Sequence, residues 1–173
     1  MQASRESNRV QVVHVPCGPF SQGYPAFGAP AHGLRAAIRN AQTWLEGTEG
    51  PLFDVRFAPR AGEFVVGGRV GTSALVGSNL DMYLRNHRIS HVCLAGFASH
   101  VCVDATMRAA ADLGYDVSVL TDASAAFSAQ IQSGWERDVL HHFAEAIKVR
   151  DFASRVLSGR LLRPERDSAG VHG

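Results

Sequence analysis

Lysine is almost absent from this chain. Lys148 is the single one, and every other member of the 17 Lys and Arg residues is arginine. A charge excess of either sign is also missing. The formal net charge of +1 leaves no basic footprint for nucleic acid and no polybasic membrane anchor. No apolar run is long enough to span a bilayer, and the opening MQASRESNRVQVV lacks the apolar stretch of a leader. Cysteines are few: Cys17, Cys93 and Cys102 stand at no regular spacing, which argues against a disulfide framework and for a reducing compartment. Carboxylates are missing ahead of the first apolar segment, apart from Glu6. The expectation that remains is a cytoplasmic enzyme or binding protein for a small molecule. At 173 residues it has the size of one α/β domain.

What is present alternates strands with helices. VQVVHVP (Val10–Pro16) reads as a short buried strand stopped by proline, and EFVVGGR (Glu63–Arg69) as a second. Between them CGPFSQGYPAFGAPAHG reads as a long ordered loop, followed by a helical turn or two ending at Gly47. A helix over GSNLDMYLRNHRI is capped by Ser78 or Asn79, with Leu80, Tyr83 and Leu84 on one face. SHVCLAGFA is a strand apolar enough for burial on both faces, as in a parallel sheet. A helix from about His100 to Leu113 follows, closed by Gly114, with a stripe of Val103, Thr106, Ala110 and Leu113. DVSVLTDA and AIKV are the last strands, separated by a polar helix, and Asp151 caps a final helix. The pattern predicts a parallel sheet covered on both sides. It divides the chain into a flexible N-terminus over 1–9, one domain over 10–160 and a disordered tail over 161–173.

Ligands of such sheets bind beyond the carboxyl ends of the strands, and Cys102 falls at that end of the third strand. A thiol in the first turn of a helix faces unpaired backbone N–H groups and the positive end of the dipole. Both favour thiolate, and the same N–H groups can hold an oxyanion. The plain alternative is a small apolar side chain at a helix–sheet contact, as buried free cysteines often are. Cys93, in the middle of HVCLAG, takes that plain reading and points into the core.

The wording HVCLAGFASHVCVDATMRAAADLGYDVSVLTDASAA resembles the isochorismatase-like cysteine hydrolases, the family of nicotinamidases and carbamoylsarcosine amidohydrolases. RVGTSALVGSNLDMYLR is similar to the segment preceding that motif. The Gly-x-Ala-[Ser/Thr]-x-x-Cys-Val element, here Gly96 to Val103, carries the resemblance. It implies a three-layer α/β/α fold with a mainly parallel sheet in the order 3-2-1-4-5-6. It further implies a nucleophilic Cys102 that forms an acyl-enzyme from an amide or related C–N carbonyl. A cis peptide at Phe97–Ala98 is implied too, with the N–H groups of Ala98 and Cys102 as oxyanion hole. Covalent catalysis of this kind needs a base for the thiol proton.

Two departures stand out. The implied triad is an aspartate ending the first strand, a lysine after the third, and the cysteine. Aligning RVGTSAL puts Arg69 at the lysine position, and Lys148 lies on the last strand. Arginine can hold a thiolate by charge but cannot shuttle a proton. The second departure is larger. Only nine residues precede VQVVHV, so the opening strand and its aspartate have no counterpart, and Glu6 has no strand to place it. In the implied order that strand sits mid-sheet, and its loss leaves two strands with unpaired edges. The explanations are a truncated chain, a gap closed by repairing strands or by a partner chain, or a degenerate relative; truncation and a rearranged sheet come first.

The remaining candidates are modest. His14, Cys17 and His32 raise a zinc site, but do not reproduce the implied pattern of one aspartate and two histidines, and no metal is expected. His100 is either a substrate contact or a solvent-facing helix residue. Asp122 reads best as a cap of the next turn. Phe20, Tyr24 and Phe27 read as packing under their loop. The leading reading is a hydrolase of a small amide, without cofactor, with Cys102 as nucleophile and Arg69 as electrostatic partner. A homo-oligomer is expected from the resemblance alone. The rival is a silent relative that binds a small molecule or serves in an assembly. A thiol redox sensor is disfavoured, because no resolving cysteine is visible near Cys102.

Overall fold

The computed structural model describes residues 1–7, 9–29 and 32–160. Helix α1 (Gln2–Ser7) leads to strand β1 (Val13–His14), and a loop with a tight turn at Pro25–Phe27 leads to α2 (Gly33–Ala41). Strand β2 (Phe64–Val65) and α3 (Leu80–Asn86) follow. Then come β3 (His91–Phe97), a wide π-type turn over Ser99–Val103, and α4 (Asp104–Asp112). Strand β4 (Asp116–Ala125), α5 (Ala129–Asp138), β5 (Glu145–Ile147) and α6 (Val149–Leu157) complete the order.

All pairings are parallel, but the strands form two sheets. One is β1–β2, in register Val13↔Phe64 and His14↔Val65; the other is β3–β4–β5. Among the described residues, no strand pairs with the second edge of β1 or of β3. The structure corrects one expectation: no residue of β3 is fully buried, and Ala95, Gly96 and Phe97 are exposed. Val92 and Leu94 still pack on one core cluster and Cys93 on the other, but among the described residues β3 has a neighbouring strand on one edge only.

Period-two alternation along β4 divides the core. Val117 and Val119 face a cluster with Leu80 and Leu84 of α3, Met107 and Ala110 of α4, and Trp135 of α5. Leu120 faces the other way, onto Ile147, Phe152 and Val156, with Val10 and Cys93 against them. Helices therefore cover both faces, and each fully buried Val or Leu side chain contributes roughly 1.5–3 kcal/mol. A third cluster lies apart, where Phe20, Tyr24, Phe27 and Ile38 pack under the loop with Trp44 and Leu45.

Several local expectations shift. Residues 2–7 are helical and docked, not loose: α1 packs on α6, and Arg5 forms an ion pair with Glu63 at 2.6 Å. The first two strands shrink to two residues each. The first-strand segment has a partner on one side only, and Pro16, with no N–H, follows it. The stripe on α4 holds at Val103, Thr106 and Ala110, but Met107 is buried and Leu113 exposed. Asp122 caps a helix, though not the adjacent one: its Oδ1 accepts the Val149 N–H at the start of α6. Lys148 immediately precedes α6, and Asp151 sits in its first turn. The tail expected over 161–173 lies outside the described residues.

Candidate active site

Strand β3 delivers its last residue, Phe97, into a cis peptide with Ala98. The π-type turn begins directly afterwards, and the Ala98 carbonyl accepts from the N–H groups of both Val101 and Val103. Cys102 lies inside this turn, partly buried. Its carbonyl accepts from Thr106 Oγ1 at 2.7 Å, and that oxygen in turn accepts the Ala74 N–H at 2.9 Å. Thr106 therefore ties the cysteine-bearing turn to the segment after β2, through a buried hydroxyl with both roles used. Ala98 is also buried.

Arg69 is held from that same segment. Its Nη1 donates to the Pro16 carbonyl at 2.9 Å and its Nη2 to the Thr72 carbonyl at 2.8 Å, while Nε is buried with no partner among the described residues. Two carbonyls fix the plane of the guanidinium, a geometry that a lysine ammonium does not reproduce. The Arg69 guanidinium also lies within electrostatic reach of the Cys17 thiol.

Cys17 is the residue that sequence reasoning missed. Burial pushes its thiol up, and the Arg69 charge opposes that. Arg69 holds the carbonyl of Pro16, the residue just before Cys17. The signal was available: Cys17 follows β1 by three residues, at the carboxyl end of a parallel strand, the same argument that singled out Cys102. Grouping Cys17 with His14 and His32 hid it.

The other candidates scatter. His14 is buried and pairs through Nε2 with Glu63 at 2.8 Å, and Arg5 holds the same carboxylate. Those two partners and the Arg60 N–H keep the Glu63 carboxyl well below the ordinary range. His32 is exposed. Among the described residues no three His, Cys, Asp or Glu side chains converge as metal ligands. Lys148 donates to Thr121 Oγ1 at 2.7 Å, and Glu6 accepts from Gln2 on α1. Cys93 packs against Leu120 and its neighbours, and burial pushes its thiol up to about 11.

His100 stands at the rim. Its ring meets Phe127 edge-on at 4.7 Å, and Phe127 meets Phe97 at 5.3 Å. Both phenylalanines are about two-thirds exposed, at 65% and 64%. His100 Nδ1 is buried without a partner among the described residues. The residue also lines a cavity of about 410 Å³ with Asp104, Arg108 and Trp135.

The site's elements are thus a cysteine in a turn after a parallel strand, a clamped guanidinium and an aromatic rim. Comparison with known proteins agrees with the fold that carries them. The family model described as the isochorismatase domain matches residues 2–151, and the chain belongs to the isochorismatase family. It is 28% identical over 102 residues to the isochorismatase family protein YrdC of Bacillus subtilis, covering 58% of this chain and 54% of that one. It superposes on an isochorismatase family protein from Desulfovibrio vulgaris with a TM-score of 0.75 at 21% identity, over 91% of this chain and 80% of that one. The N-carbamoylsarcosine amidase of Thermoplasma acidophilum matches with a TM-score of 0.64 at 26% identity, over 85% and 76% of the two chains. The chain spans about half the length, or less, of the curated relatives it matches.

Proposed function

We propose that this isochorismatase-family chain is a cysteine hydrolase acting on a small amide or related C–N bond. Cys102 sulfur attacks the carbonyl carbon, the C–N bond breaks, the amine departs, and water releases the acid from the thioester. The N–H groups of Ala98 and Cys102 hold the oxyanion. Arg69 supplies positive charge to the site, and His100 contacts substrate. The observation that carries this reading is the placement of Cys102 in the turn directly after the cis Phe97–Ala98 peptide, at the carboxyl end of β3. Thr106, which ties the Cys102 carbonyl to the segment that carries Arg69, supports it.

The proton inventory sets the expected rate. Arg69 is no base, and the one lysine is bonded to Thr121. General base catalysis ordinarily contributes about 10²–10⁴-fold, so turnover is slow. A panel of small primary amides and carbamoyl compounds tests the reading. Slow hydrolysis that Cys102→Ala reduces to background supports it. Binding of the same compounds without turnover, unchanged by Cys102→Ala, favours the second reading, a catalytically silent binding member of the family. That reading draws on the engaged Lys148 and on Glu63, a carboxylate at β1, being already taken by His14 and Arg5.

A further inference from the structure

Thr106 stands between the cysteine-bearing turn and the segment after β2. It lies in the first turn of α4 and is buried, at 7% exposure. Its Oγ1 meets two backbone groups, the Cys102 carbonyl at 2.7 Å and the Ala74 N–H at 2.9 Å. The direction of both bonds is fixed. An amide N–H only donates, so the hydroxyl accepts from Ala74 and gives its one proton to the Cys102 carbonyl. A threonine hydroxyl on the carbonyl four residues back is common on helices and by itself says little. The second bond is different, because it reaches a residue 32 positions away in sequence. Residues 69–79 form neither helix nor strand, and side chains fasten them piecemeal: Arg69 to the Pro16 and Thr72 carbonyls, Asn79 Oδ1 to the Gly67 N–H, and Ser78 Oγ to the Ala74 carbonyl. Ala74 is buried and is thus held at its N–H by Thr106 and at its carbonyl by Ser78.

We propose that Thr106 is a positioning residue for acyl transfer at Cys102. By bridging Cys102 to Ala74 it fixes the angle at which the turn presents the sulfur and the Cys102 N–H to one substrate carbonyl. This rests on the reading of Cys102 as the nucleophile. The carbonyl that Thr106 holds shares its Cα with both of those groups, so a bond there restrains how the whole residue is turned. Wide turns of this π type are rare in helices and recur at functional sites. Displacing a halide needs only an accessible thiolate. Acyl transfer also needs the oxyanion donors aimed at the developing charge while the sulfur meets the carbonyl carbon. Loss of the Thr106 hydroxyl therefore harms acylation of Cys102 more than its alkylation.

The test treats the full chain with two reagents at one pH. Iodoacetamide reads the thiolate: the sulfur displaces iodide, and no oxyanion forms. p-Nitrophenyl acetate reads the whole site: the sulfur attacks the ester carbonyl, the C–O bond breaks, p-nitrophenolate leaves, and a thioester remains on Cys102. Cys93 and Cys102 fall between Arg88 and Arg108, on one tryptic peptide, so fragmentation assigns the modified sulfur. In Thr106→Val, alkylation of Cys102 stays near the rate of the unsubstituted chain, while acylation falls by about tenfold to a hundredfold. Thr106→Ser keeps the hydroxyl and restores acylation. Thr106→Ala leaves room for a water to take up the Ala74 N–H and gives the same split between the two rates, which covers the case of a poorly folded valine variant. Equal loss of both rates, a loss that Thr106→Ser does not restore, or no loss overturns the positioning role and leaves Cys102 as nucleophile. A Cys102 that is not acylated in the unsubstituted chain overturns the acyl-transfer reading and the positioning role with it.

Discussion

Strands β3, β4 and β5 contribute 7, 10 and 3 residues to their sheet, whereas β1 and β2 contribute two each to theirs. Both sheets touch the same main core, through Val117 and Val119 on one side and Val13 and Phe64 on the other. The larger sheet is fastened by paired backbone along its length and by helices on both faces. The smaller has one short ladder, which includes the Val66 N–H on the His14 carbonyl, and is otherwise fastened by the Arg5–Glu63–His14 cluster and by Arg69 on the Pro16 carbonyl. Side chains here do what a neighbouring strand does elsewhere. The candidate site spans the divide, with Cys102 from the larger half and Cys17 and Arg69 from the smaller. Its geometry therefore depends on contacts weaker than those that hold the fold.

The largest effect expected is on the shared core. Met107 is fully buried, and Met107→Ala destabilises the whole chain by about 2–5 kcal/mol, read as a lower urea midpoint at unchanged slope. A loss confined to β1–β2 by hydrogen exchange breaks the view that one core serves both sheets.

Next comes the tether. Arg5→Ala removes the ion pair to Glu63 and the hydrogen bond to the Ala58 carbonyl. It speeds amide exchange over residues 2–7 and 13–14 while β4 amides keep their protection. Equal loss across both sheets contradicts a separable smaller half. The same contrast has a pH dependence. The Glu63 carboxyl is depressed in the folded state, so its contribution is present above the ordinary carboxylate value and is lost as pH falls through the lower folded value. Acidification below about pH 4 loosens α1 and β1–β2 first. His91, whose ring is pushed down by burial beside Ser118, destabilises the larger sheet by the same sign as pH falls below the ordinary histidine range.

A smaller and more local effect comes from Arg69→Met. Arg69 opposes the upward push of burial on Cys17, so its removal moves the pH midpoint of Cys17 alkylation upward, while Cys93 stays silent. An unmoved midpoint removes Arg69 as an influence on Cys17. The smallest effect belongs to the separate loop cluster, where Ile38→Val costs about 0.5–1.5 kcal/mol and leaves alkylation at Cys102 unchanged.

Much of this was legible in the residues. The helix over Leu80–Asn86, the strand His91–Phe97 and the stop at Gly114 follow from local pattern, because period and capping act over one or two turns of chain; the wide turn over Ser99–Val103 does not, since the pattern reads as an α-helix from about His100 and that helix begins at Asp104. The exposure of β3 was not legible. Its apolar composition is that of a two-sided strand, but burial depends on which neighbours pair with it, and one edge is unpaired. The docking of α1 was missed for a related reason: its six residues have no amphipathic run long enough to announce a contact, and an Arg5–Glu63 pair 58 residues apart leaves no local trace.

By itself, then, the sequence determined the alternation of elements, the family wording around Cys102, and the near absence of lysine. These are properties of short segments and of residue chemistry. Only the tertiary structure decided that the sheet divides in two, that Glu63 serves His14 and Arg5, that Arg69 reaches the Pro16 carbonyl, and that Thr106 ties the Cys102 turn to Ala74. Those facts are long-range juxtapositions, set by how strand ends are packed together, and no spacing along the chain encodes them.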